Sequence, residues 1–100
     1  MAKLTTVYWR DIPAQVIAKQ RRETAKTVLS ERFAEAIDKA AMRAQMAGTD
    51  AYLEQWRREE INCESDLQAA VDKASAELEQ AFDDERLEEL VRSGGITPGE

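Results

Sequence analysis

Histidine is absent from this 100-residue sequence, and cysteine occurs once, at Cys63. The first absence removes the usual general base and the commonest metal ligand. The second excludes an intrachain disulfide, a CxxC redox pair and a thiolate zinc site. Glu64 and Asp66 flank Cys63 closely and oppose a thiolate, so this side chain is expected as a half-buried strand residue. Neither a Walker loop nor GxGxxG is present. The paired glycines, Gly94 and Gly95, follow a helical stretch instead of opening one and cannot cradle phosphate on a helix N-terminus. No apolar run approaches the ~20 residues that span a bilayer. The segment MAKLTTVYW lacks the apolar core and cleavage site of a secretion signal, so a cytoplasmic setting without membrane contact is expected.

Carboxylates, by contrast, are plentiful. Asp83-Asp84-Glu85 and Glu88-Glu89 lie on polar helix faces, where they complement a helix dipole, and none has the DxDxDG spacing of a calcium loop. No catalytic residue, metal site or cofactor is therefore expected, and the chain reads as a non-enzyme. Its net charge of −6 is uneven: Met1–Met46 carries +4 and Ala47–Glu100 carries −10. Such a split marks either an electrostatic partner site or two halves with complementary faces.

Leu4 to Trp9 and Ala14 to Lys19 read as two strands of a hairpin joined by "RDIP", where Asp11 bonds nearby amides and Pro13 fixes φ. Strict alternation places Leu4, Thr6 and Tyr8 on one face, and Thr5, Val7 and Trp9 on the other. One aromatic must then stay outside, and Trp9, beside Arg10, is the expected one. Beyond "KQRR", a stripe from Ala25 through Leu29, Phe33 and Ile37 to Ala44 favours one long helix ended by Gly48. The alternative starts that helix at Ser30 and leaves Thr24–Leu29 extended. A short helix with Tyr52, Leu53 and Trp56 follows, and "EEINCES" allows a third short strand. Ser65 with Gln68 then reads as a capping box opening a helix striped by Leu67, Ala70, Val71, Ala74, Leu78 and Phe82. A last helix carries Leu87, Leu90 and Val91. The expected fold is α+β: an N-terminal antiparallel hairpin packed by three to four helices, one domain over residues 1–93, with 94–100 as a flexible tail.

Two Trp/Arg sites, Trp9-Arg10 and Trp56-Arg57-Arg58, have the chemistry of interface hot spots, although Trp56 also fits a core helix position. Lys19, Arg21, Arg22 and Lys26 form a basic cluster after the second strand. Aromatics beside such a cluster could stack bases, but the acidic overall charge disfavours nucleic acid. A small pocket between Trp9 and Trp56, with arginines for an anionic ligand, is a further alternative.

The segments "YWRDIPAQVIAK", "ERFAEAIDKAAMRA" and "DAYLEQWRR" resemble a small bacterial domain family labelled "virulence factor", over about Lys3 to Arg92. The label states no mechanism and carries over no catalytic residues. Members stand alone or form part of longer proteins, and some are associated with folate-dependent one-carbon enzymes. The resemblance implies an accessory, protein-binding role, with a one-carbon enzyme as a candidate partner and self-association left open. Tyr8, Trp9, Arg10, Asp11, Met42, Arg43, Trp56 and Arg57, with Arg21 and Arg22 of the basic cluster, are the candidate contact residues.

Overall fold

The computed structural model describes residues 2–97. Four strands, β1 (Ala2–Trp9), β2 (Ile12–Gln20), β3 (Glu23–Val28) and β4 (Trp56–Cys63), form an antiparallel sheet in the order β3-β2-β1-β4. Helices α1 (Glu31–Arg43), α2 (Asp50–Glu54), α3 (Leu67–Ala81) and α4 (Asp84–Arg92) complete an α+β fold. No helix of the described residues is long and apolar enough to cross a membrane.

The expected hairpin is present as β1 and β2, and the third strand near Ile61 is the longer β4. The favoured long helix from Ala25 is not formed. Thr24, Thr27 and Val28 are β-branched, and residues 23–28 pair with β2 from Gln20↔Glu23 to Gln15↔Val28. The extended run is sealed where Leu29 N–H donates to the Ala14 carbonyl at 3.0 Å. Ser30 then holds the N-cap position of α1 but caps no amide. Its N–H and hydroxyl both donate to the Glu79 carboxylate at 2.8 Å, tying α1 to α3. Gly48 does not end α1 either. Gln45 takes the left-handed conformation (φ 61°), with Gln45 N–H on Met42 O and Met46 N–H on Ala41 O, the paired bonds of a Schellman turn. The cap of α3 is Asp66, which accepts from Ala69 N–H at 3.1 Å, instead of the expected Ser65/Gln68 box.

The helical layer covers one sheet face. Leu67, Ala70 and Val71 of α3 pack on Ala2, Leu4, Val16 and Ala18. A second cluster joins Trp9 and Ile12 to Phe33, Ile37 and Ala40 of α1 and to Leu87 and Leu90 of α4. Leu78 packs against both clusters and makes the core continuous. Burying the apolar stripes of three helices at ~25 cal/mol per Å² is the main stabilising term.

Trp9, expected outside, is 0% exposed. The reason is what closes over the end of β1: Trp9 packs among Ile12 of β2, Phe33 and Ile37 of α1, and Leu87 and Leu90 of α4, at the end where the β1–β2 register shifts between Val7 and Tyr8 with Ala14 as the extra residue on β2. Trp9 Nε1–H donates to the Tyr52 carbonyl at 2.9 Å, so its polar edge is satisfied. Tyr8 is the aromatic left partly outside. The chain after α4 also departs from a free tail. Gly94 and Gly95 are buried, and a Cβ on Gly95 (φ +93°) would lie 2.7 Å from the Trp9 ring. The rest of the expected tail, residues 98–100, lies outside the described residues.

Candidate functional site

The strand register builds two surfaces. One surrounds the β1–β2 turn. Arg10, at φ 54°, donates from Nε to Gln55 Oε1 at 3.1 Å and from Nη1 to Gly94 O at 2.9 Å, and its guanidinium lies 5.4 Å from the Trp9 ring centre. Asp11 Oδ2 accepts from Thr97 N–H at 2.6 Å and from Thr97 Oγ1 at 2.9 Å. Arg57 closes the cluster: it donates to Arg10 O at 2.8 Å, pairs with Asp11 at 3.3 Å and with Glu59, and stacks 4.4 Å from the Tyr8 ring centre. Partial burial opposes ionisation of Asp11, but the Thr97 bonds and the Arg57 guanidinium outweigh it and hold the carboxyl below its ordinary value. Burial, with Glu59 and Asp11 nearby, pushes the Tyr8 hydroxyl up against the opposing pull of Arg57. Four expected contact residues, Trp9, Arg10, Asp11 and Arg57, are thus engaged in fastening the turn to the chain after α4 and to β4.

The second surface is the sheet face away from α3. Cross-strand partners share a face, which gives three rows: Asn62, Lys3, Lys19, Thr24; then Glu60, Thr5, Ile17, Lys26; then Arg58, Val7, Gln15, Val28. Lys3 Nζ donating to Asn62 Oδ1 at 2.7 Å fits this alignment. Four cations stand against one carboxylate. Arg21 of the β2–β3 turn adds a fifth, lining with Lys3, Lys19, Arg58 and Glu60 a shallow depression of about 310 Å³. None of Lys3, Lys19, Arg21, Lys26 and Arg58 forms a salt bridge among the described residues. The acidic half of the sequence lies largely on α3, α4 and their connections, so a protein of net charge −6 presents a basic sheet face.

The basic cluster expected from sequence is therefore assembled in part. Lys19, Arg21 and Lys26 come together, while Arg22 is exposed beside them on the turn. Lys3, and the place of Arg58 beside this cluster instead of with Trp56 alone, are not legible in sequence, because only strand pairing brings residues so distant alongside Lys19. Met42 (61% exposed) and Arg43 lie on α1, outside the three rows. Arg43 donates to Arg92 O at 3.1 Å.

Trp56 begins β4 instead of continuing a helix, and meets Tyr52 edge-on at 6.0 Å between ring centres. It stands between two clefts. One, of about 320 Å³, reaches Val7 and Arg58 on the sheet face; the other, of about 270 Å³, runs between α1 and α2. Fully buried Trp9 lines neither cleft. No group of three or more His, Cys, Asp or Glu side chains that could hold a metal ion occurs among the described residues.

A family model described as "Virulence factor" matches residues 7–91, and the chain belongs to that family. It matches no curated protein and no solved structure.

Proposed function

We propose that this member of the virulence-factor family is a non-enzymatic interaction module that docks an acidic segment of a partner protein on its open sheet face. The observation that carries the reading is the row pattern of Lys3, Lys19, Lys26 and Arg58 around Ile17 and exposed Val28. Unpaired cations bordering a modest aliphatic centre suit carboxylates interspersed with apolar side chains. The field of such a face runs against the net charge, so it orients an approaching acidic partner and turns the acidic helical layer away.

A nucleic-acid partner is less well matched. The three rows carry no aromatic on which bases stack, and the acidic remainder repels a polyanion. A cytoplasmic setting and an accessory role beside a folate-dependent one-carbon enzyme fit the family resemblance and belong to the same proposal.

The test is affinity capture from cytosolic extract with the wild type and with K19E/K26E/R58E, at low and at ~0.5 M salt, where the screening length shrinks to a few Å. The expected result is a protein held by the wild type at low salt, released at high salt and not held by the variant. Equal retention by a folded variant overturns the reading. Nuclease-sensitive retention replaces it with nucleic-acid binding, and retention of a one-carbon enzyme supplies the partner's identity.

A further inference from the structure

The cleft between α1 and α2 differs chemically from the sheet face. Ala14, Leu29 and Ile37 form an apolar floor, Tyr52 and Trp56 stand as aromatic walls at 89° to each other, and Asp38 lies on the rim. No Lys or Arg lines it. Among the described residues, the Asp38 carboxylate has no salt bridge, and neither the Tyr52 hydroxyl nor the Trp56 indole N–H has a hydrogen-bond partner within the protein. At about 270 Å³ the space is below the ~300–1,000 Å³ typical of cofactor and drug-sized ligand sites, so it suits one side chain.

We propose that this cleft receives a single cationic side chain, best an arginine, from a partner chain. The alkyl stem lies on Leu29 and Ile37, the guanidinium plane stacks on Trp56, and its N–H groups donate to Asp38. Two perpendicular aromatic rings and one carboxylate supply what a desolvated cation needs: ring quadrupoles and an opposite charge. Arginine suits the site better than lysine because its planar fork both stacks and donates in parallel to a carboxylate. Burial, with the Asp38 charge nearby, raises the Tyr52 hydroxyl above its ordinary value. The inference rests on this cleft alone and does not require the sheet-face reading.

The chain has two tryptophans, so the indole N–H resonances of Trp56 and buried Trp9 can be followed separately by NMR. The probes are the capped peptides Ac-AARAA-NH2 and its norleucine counterpart, with free agmatine as a third arm. The arginine peptide is expected to shift Trp56 with millimolar affinity, the norleucine peptide at least fivefold more weakly, and D38N to lose at least fivefold for the arginine peptide. Asp38 is exposed on α1, so D38N should retain the wild-type Tm and spectrum, which confirms that a loss is local. Equal binding of the two peptides, an unaffected D38N, or no Trp56 shift up to ~10 mM overturns the proposal. Agmatine binding much more tightly than the arginine peptide overturns it too, in favour of a small-molecule cation.

Discussion

The β1–β2 turn and the β2–β3 turn are built alike and used differently. Each is two residues long, Arg10-Asp11 and Arg21-Arg22, and each opens with an arginine at positive φ, 54° and 56°. A non-glycine residue in that conformation costs ~1–2 kcal/mol in either place. At the first turn the cost is offset by the bonds of Arg10 to Gln55 and Gly94 and of Asp11 to Thr97. At the second, neither arginine has a hydrogen-bond or ionic partner among the described residues, and both are exposed. Local sequence does not distinguish a fastened cation from a free one. What decides is whether another part of the chain reaches it.

The comparison can be broken most forcefully at Gly95, which lets the chain after α4 close over the first turn. G95A places a Cβ 2.7 Å from the Trp9 ring and strains a φ of +93°. The expected loss is about 2–3 kcal/mol, seen as a fall in Tm of about 10 °C or more by thermal denaturation. R10A and R21A, equal in backbone strain, isolate the side chains. R10A should cost about 1–2 kcal/mol, because charge-assisted bonds to Gln55 and Gly94 are lost. R21A should stay within about 0.5 kcal/mol. Equal Tm values for the two variants would contradict the assignment of Arg10 to the fold.

Asp11 sharpens the same contrast through pH. Its pKa is lowered in the folded chain, so its stabilisation is complete above the ordinary carboxylate range and is lost as pH falls through the folded value. D11N should therefore cost about 0.5–1 kcal/mol near neutrality, discounted for partial exposure, and the gap to the wild type should narrow as pH falls below the ordinary carboxylate range. Urea denaturation at pH 7 and at a series of pH values descending through the carboxylate range measures both terms. A gap that widens in acid would be the wrong sign. The smallest effect is at the free turn: R21G relieves the positive φ and should raise stability by about 0.5–1 kcal/mol. A loss of stability in R21G, read from the same urea curves, would mean that Arg21 has a structural partner after all.

Much of the frame was legible in hydrophobic period and in turn or helix-start residues. The β1–β2 hairpin, the stripe of α3 and the start of α4 at the aspartates are such places. β3 was hidden because Ala25 and Leu29 continue the helical spacing of α1 by coincidence, and only pairing with β2 decides the matter. Trp9 was misplaced because α1 and α4 close over the end of β1, and strand alternation has no means of registering which helices arrive there. The C-terminus of α1 was assigned to Gly48 because glycine is the usual left-handed residue, whereas Gln45 takes that conformation here. At the candidate site, Lys19, Arg21 and Lys26 formed a visible run. Lys3 and Arg58 join them through strand order alone.

The central claim is that the open sheet face, not the fastened turn, is the docking surface. Backbone amide NMR during titration with an Asp/Glu-rich peptide containing aliphatic residues tests it directly. Shifts concentrated at Lys3, Thr5, Ile17, Lys19, Lys26 and Arg58, reduced at least tenfold in affinity by K19E/K26E/R58E, are the predicted result. Shifts confined to α3 and α4, or undiminished binding by the variant, would contradict it.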